Sequence, residues 1–345
     1  MSTPENRRVA PVPHDSPVRL SRAEWRVVLV RTAHEFRINQ CWDLAAALTY
    51  YVVLMVCPAL LTALALVGMF GSAERVAEDA LHVVRDLGGD EIAAGLAEPI
   101  DQLLGASRAG LAFVTGLALT IWTASAYLGT FGRGMNRILG VEEGRPYWKS
   151  RPAMLATAVV LVLLGTVIAI GLVVSGPVAT AVLHALGFDE GIAPVWDLAK
   201  LPVLAAIGAL MLAVLYWAAP NVRRPQLRWV SAGAAIALAV WIVTTALFGL
   251  YVWNFSNYDR VYGVLGGIVA FLLWMWLSNM AILAGGVLDT ELERARQLRA
   301  GVPAHERLRL ELRDDRLIRL NRDQRESDVR ASAAMRPDPS ADGAA

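Results

Sequence analysis

The sequence predicts an all-α, polytopic integral membrane protein with six transmembrane helices and both termini on the cytoplasmic side. Three observations carry this prediction. Residues 229–253 and 261–286 contain no charged side chain and are joined by the seven-residue turn from Asn254 to Arg260. At 1.5 Å per residue, each run exceeds a hydrocarbon core of about 30 Å. Composition agrees, with 56% hydrophobic and only 18% charged residues, which is the balance of a membrane chain. Third, Arg and Lys collect on alternate connections along the chain, the pattern that fixes orientation in a bilayer.

The first 20 residues are rich in Pro and Arg and lack an uninterrupted apolar stretch, so they are not read as a signal peptide. Ser21 and Glu24 form a capping box ahead of Trp25, Val28, Leu29, Ala33 and Phe36, which recur at helical spacing. Arg22, Arg26 and Arg37 take other faces. This amphipathic helix lays its apolar side on the membrane interface or on the protein's own underside, and the pattern leaves both open. Residues 1–43 form this N-terminal arm.

Residues 44–286 form the membrane domain, with spans at about 44–70, 109–130, 154–176, 198–219, 229–253 and 261–286. Asp43 stands where an N-cap belongs. Pro58 interrupts the first span, and its clash with the Leu54 carbonyl predicts a kink. Thr49, Tyr50 and Tyr51 serve as interhelical hydrogen-bonding groups and interfacial anchors or as the lining of a pathway. If one helix carries both Cys41 and Cys57, they lie about 24 Å apart, beyond disulfide reach. Residues 71–108 read as an acidic external loop with short surface helices. The second span runs on into a basic continuation in which Arg133, Asn136, Arg137 and Gly140 recur at three- and four-residue intervals and line one face. Pro177 and Pro220 end the third and fourth spans, and Trp196 and Trp217 flank the fourth at belt spacing.

Orientation follows from the basic residues. Arg7, Arg8, Arg19, Arg22, Arg26, Arg31 and Arg37 precede the first span; Arg133, Arg137, Arg145, Lys149 and Arg151 join the second to the third; Arg223, Arg224 and Arg228 join the fourth to the fifth. The first loop sets only Arg75, Arg85 and Arg108 against eight acids. The basic connections are therefore expected inside. Residues 287–325 read as a charged cytoplasmic helical tail broken at Gly301-Val302-Pro303, with pairs such as Glu291 and Arg294 forming a solvated surface. Residues 326–345 are rich in Ser, Ala, Pro and Asp, and disorder is expected there.

Leu44-Ala-Ala-Ala-Leu-Thr-Tyr-Tyr51 with Pro58, Trp122-Thr-Ala-Ser125, the run from Met135 to Lys149, Pro220-Asn221, and Phe248-Gly-Leu-Tyr251 through Tyr262-Gly-Val-Leu-Gly266 together resemble the YihY/BrkB family. The resemblance spans residues 25–294. It implies a six-helix protein of the bacterial cytoplasmic (inner) membrane, in a family without one established activity. Some members carry an old ribonuclease label, and others are described as virulence-associated or transporter-like.

Enzyme chemistry is not expected. His14, His34, His82, His184 and His305 fall on both predicted sides and form neither an H-x-H nor an H-x-x-x-H pair, so a nuclease metal or acid/base cluster is missing. Positive-inside topology accounts for the basic residues without nucleic acid as a partner. No P-loop occurs, no cofactor or metal is expected, and no carboxylate lies within the predicted core of a span.

Two functional readings remain. One is a transporter-like protein that moves a lipid or anionic amphiphile, with Tyr50, Tyr51, Pro58, Arg133, Asn136, Arg137, Asn254, Tyr258, Ser278 and Asn279 as pathway candidates. Arg133, Arg137, Arg145 and Lys149 would lie at headgroup depth. The other is a non-transporting membrane scaffold or envelope-integrity protein, in which Gly263-x-x-x-Gly267 allows close helix approach and Asn279 bonds between helices. Membrane lipids and further copies of the chain are the partners expected.

Overall fold

Long uncharged runs leave the backbone no partner but itself in a bilayer, and these runs are helical throughout the described residues. The computed structural model describes residues 20–69, 106–173, 192–223, 232–254 and 259–335. Among them are eight helices: α1 (Arg22–Ile38), α2 (Cys41–Met69), α3 (Ala106–Leu139), α4 (Tyr147–Val173), α5 (Ile192–Ala218), α6 (Ala232–Asn254), α7 (Asp259–Arg299) and α8 (Arg316–Ala333). Helices α2 to α7 are each long and apolar enough to cross a membrane, so the chain is a multi-pass membrane protein. The arm before Leu20, the acidic loop as far as Gly105, the Pro177 stop, Arg224, Arg228, Tyr258 and the last ten residues lie outside the described residues, while residues 106–108 already belong to α3. The side chains of Trp196, Asn254 and Gly263's neighbours lie outside the described residues as well.

Each span packs on the next in sequence, and α7 closes the ring by packing on α2 as well as α6. All six spans contribute to one buried cluster: Cys41, Ala45 and Leu48 from α2, Phe131 and Met135 from α3, Ala158 from α4, Tyr216 from α5, Ala234 from α6, and Leu283 and Val287 from α7. These residues lie toward one end of the ring, the end that also carries α1 and the chain after Arg299. We call it the basic end. A Cβ on Gly285 would meet Ala237 Cβ at 2.4 Å and the Gly233 carbonyl oxygen at 2.8 Å, so α6 and α7 approach there only because small residues face each other.

Helix ends follow local chemistry. The Ser21/Glu24 capping box forms, with the Glu24 N–H donating to Ser21 Oγ at 3.3 Å and the Ser21 N–H to Glu24 Oε2 at 2.6 Å. Gly140 (φ 67°) and Gly301 (φ 79°) close α3 and α7. In each case the next residue's N–H reaches back to a carbonyl, Val141 to Asn136 and Val302 to Gln297, both at 2.9 Å.

Several expectations are corrected. Helix α2 starts at Cys41, so Asp43 sits inside its first turn and is not the cap. Helix α1, for whose apolar side the pattern left two surfaces open, sets Val28 against Leu288 and Leu292 of α7, while Leu29 and Ala33 face outward. Helix α7 has 41 residues, about 61 Å, and carries its charged end straight out of the ring. Glu291 and Arg294 are buried rather than solvated, because α1 covers that side. Residues 302–315 are neither helix nor regular strand, and Leu312 pairs with Val222 in a single bridge. Helix α8 runs through Ala333, past the point where disorder was expected at Glu326. Its ion pairs Asp315–Arg319 and Arg322–Glu326 stand four residues apart, which favours helix even where apolar residues are few.

Candidate functional site

Helices α2 and α3 pack along their whole described length in fixed register. Gly134 lies against Leu44, and Gly116 lies against Thr62 and the Pro58 carbonyl. The two helices are antiparallel, so this register puts Tyr51 at the level of Tyr127. On α2, Leu44, Tyr51, Met55, Pro58 and Thr62 recur at seven, four, three and four residues. On α3, Gly116, Thr123, Tyr127, Thr130, Gly134 and Arg137 recur the same way. Both sets therefore face the common seam. Five of the sequence candidates belong to it or its rim: Tyr50, Tyr51, Pro58, Arg133 and Arg137. The Tyr50 ring lies edge-on to Tyr51 with centroids 5.4 Å apart, and Tyr50 itself faces outward. Pro58 lies inside the helix, where its carbonyl accepts from Thr62 Oγ1 at 2.7 Å.

At the basic end the seam is rimmed by exposed arginines. Arg133 donates to Thr130 Oγ1 at 2.8 Å and Arg137 to the Asn39 carbonyl at 3.4 Å. Neither has a carboxylate partner among the described residues. Arg145, Arg294 and Arg31 of this end are ion-paired, whereas Arg22, Arg26, Arg37 and Arg151, like Arg133 and Arg137, form no ion pair among the described residues.

Asn136 does not share the rim. It is buried, its Nδ2 donates to Glu143 Oε2 at 3.0 Å, and its Oδ1 accepts from the Asn221 N–H at 2.8 Å. Arg145 holds Glu143 in a bidentate pair (2.8 and 2.9 Å) and donates to the Ala219 carbonyl at 2.7 Å, closing the C-terminus of α5. Burial alone raises the Glu143 pKa. The Arg145 side chain and N–H, with the Asn136 amide, outweigh it and hold that carboxyl below its ordinary range. The segment after α7 straps this node. Asn221 Nδ2 donates to the Asp314 carbonyl at 2.9 Å, Arg313 donates to Val222 and Trp217 carbonyls, and Lys149 pairs with Asp314 at 2.9 Å.

Behind the seam, Asn279 joins three spans. It is buried at 3% exposure; its Nδ2 donates to Thr49 Oγ1 of α2 at 3.1 Å and to the Met275 carbonyl at 3.0 Å, and its Oδ1 accepts from the Tyr127 hydroxyl of α3 at 2.9 Å. Ser278 turns to a different neighbour, accepting from Trp241 Nε1 of α6 at 2.9 Å. The two adjacent polar groups therefore bond to different helices. A Cβ at Gly267 would meet nothing within 4 Å, so Gly267 makes no close approach among the described residues. The Asn254 side chain, Tyr258 and the surroundings of Gly263 lie outside the described residues. Two hollows, one of ≈ 310 Å³ between α6 and α7 and one of ≈ 260 Å³ between α4 and α5, are mainly apolar and contain none of the candidates.

Sequence reasoning missed Tyr127, Glu143 and the strap. Tyr127 carried a signal in its seven- and four-residue spacing with Gly134 and Thr123, whereas the strap's partners are loops that no periodicity reports. Among the described residues no group of three or more His, Cys, Asp or Glu could hold a metal.

The family profile described as Virulence factor BrkB matches residues 32–309. The ribonuclease-like protein YfkH of Bacillus subtilis (strain 168) is 27% identical over 270 residues, covering 78% of this chain and 96% of that protein. A UPF0761 membrane protein of Aromatoleum aromaticum is 30% identical over 281 residues, 77% of this chain and 64% of its own. Another from Alkalilimnicola ehrlichii is 29% identical over 260 residues, 73% and 55%. The chain thus spans somewhat over half the length of these two UPF0761 relatives. No solved structure matches.

Proposed function

The chain belongs to the Virulence factor BrkB family, and from that premise we propose that it is a transporter-like protein moving a lipid or other amphiphile with an anionic head group along the α2–α3 seam. One observation carries the reading: Arg133 and Arg137 stand exposed without a carboxylate partner among the described residues, at the mouth of a seam that Thr130, Thr123 and Tyr51 line with hydroxyls. An unpaired guanidinium at headgroup depth is what a phosphate or other anion satisfies. The positive-inside rule supports reading this end, and both termini, as the cytoplasmic side of a bacterial inner membrane. The protein acts without catalysis in this account.

The saturated Asn279 amide favours the second reading, a scaffold whose intramembrane polarity only joins helices. Transbilayer movement separates the two. In vesicles reconstituted with the full chain, labelled anionic lipid should cross faster than in protein-free vesicles, and Arg133→Gln with Arg137→Gln should slow it about tenfold, the size of one charge-assisted hydrogen bond. Movement equal to protein-free vesicles would leave the scaffold reading.

A further inference from the structure

We propose that the rim of the α2–α3 seam takes a phospho-amine head group, its phosphate on Arg133 and Arg137 and its primary ammonium on Asp43. The inference rests on the seam reading above and names the head group that the seam selects.

The Leu44–Gly134 contact fixes the geometry. One residue on from each, Ala45 and Met135 point into the core and are fully buried. One residue back, Asp43 and Arg133 are exposed. Successive helical side chains turn by about 100°, so Asp43 and Arg133 flank the same contact on the same outer side. The register also puts Asp43 at a level between Arg133 and Arg137. Yet Asp43 forms no ion pair with either, and no partner to it is present among the described residues. Two cations and one anion thus stand across a seam, held apart by Leu44.

Because α2 starts at Cys41, Asp43 is not consumed as a cap and its carboxylate points outward. Ala47, one turn further along α2, is small and exposed, leaving room beside Arg133. A phosphate diester accepts from the guanidinium groups, and a primary ammonium donates to the carboxylate. A quaternary ammonium has no N–H to donate. A glycerol head leaves Asp43 facing the phosphate with like charge. The site therefore ranks phosphoethanolamine above phosphocholine and phosphoglycerol.

The test is lipid retention by the purified full chain, read by native mass spectrometry with phosphatidylethanolamine, phosphatidylcholine and phosphatidylglycerol offered in equal amounts. The wild type should retain phosphatidylethanolamine about tenfold better than phosphatidylglycerol. Asp43→Asn, an exposed isosteric change, should bring the two to parity, and Arg133→Gln with Arg137→Gln should weaken both. Equal retention of all three lipids by the wild type, or an undiminished preference in Asp43→Asn, overturns the head-group assignment while leaving the seam intact. No loss of any lipid in the arginine double variant overturns the seam reading itself.

Discussion

Asn279 on α7 and Tyr127 on α3, 152 positions apart in the chain, share a 2.9 Å hydrogen bond where three spans meet. Thr49 of α2 accepts from the other side of the same amide. Inside a bilayer such an amide has no water to fall back on. The bond therefore predicts energetic coupling. Asn279→Leu should lower stability by about 1 kcal/mol, and a double-mutant cycle with Tyr127→Phe should return a coupling of roughly 0.6 kcal/mol. Additive single effects in unfolding measured in bicelles would show that the bond contributes nothing.

The buried Glu291 carboxylate accepts from Arg294 Nε at 3.0 and 3.1 Å and from Arg31 Nε at 2.8 Å. Arg294 also holds the Ala304 carbonyl at 2.8 Å. Glu291→Ala would leave Arg294 buried without its counter-charge, at a cost of about 3–5 kcal/mol. The exposed pair Arg299–Glu24 should contribute far less, because solvent screens it. Thermal unfolding of Glu291→Ala and Arg299→Ala checks the ranking, and comparable losses in both would contradict it.

A Cβ on Gly144 would lie 1.9 Å from the Asp314 carbonyl oxygen, which is backbone and cannot swing aside. Gly144→Ala should therefore detach the strap. Tryptic cleavage at Arg313, protected in the wild type by its bonds to Val222 and to Trp217 of α5, should accelerate in the variant. An unchanged cleavage rate would mean that the strap is not seated there.

The lowered Glu143 pKa sets a pH window. A carboxyl depressed in the folded state contributes stability above its ordinary value of 4.5, and that contribution is lost as pH falls through the folded value. The stability gap between wild type and Glu143→Gln should be full at neutral pH and narrow below about pH 4.5. A gap independent of pH would remove Glu143 from the ionised pair.

The spans were legible because absence of charge over a membrane's thickness has one physical explanation. What was not legible is what each polar residue meets. Glu291 and Arg294 stand three apart whether they face water or α1, so their pattern could not report burial. Asn279 read as inward-facing, but its partners lie 152 and 230 positions away. Asp43 looked like a cap because the apolar run begins beside it, whereas the helix starts two residues earlier. The seam was half visible: Tyr51, Pro58, Arg133 and Arg137 stood out individually, and only the Leu44–Gly134 register brings them together.

Passage of an amphiphile's head group along the α2–α3 seam can be stopped by a reversible staple across it. Met55 and Thr123 lie at one level on facing sides of the seam by the same register. Met55→Cys with Thr123→Cys, in a chain whose Cys41 and Cys57 are replaced by Ser, should close it on oxidation. In reconstituted vesicles, passage along the seam requires lipid movement by the reduced protein, arrest on oxidation and recovery on reduction. Movement at the same rate in the stapled and reduced protein would contradict it.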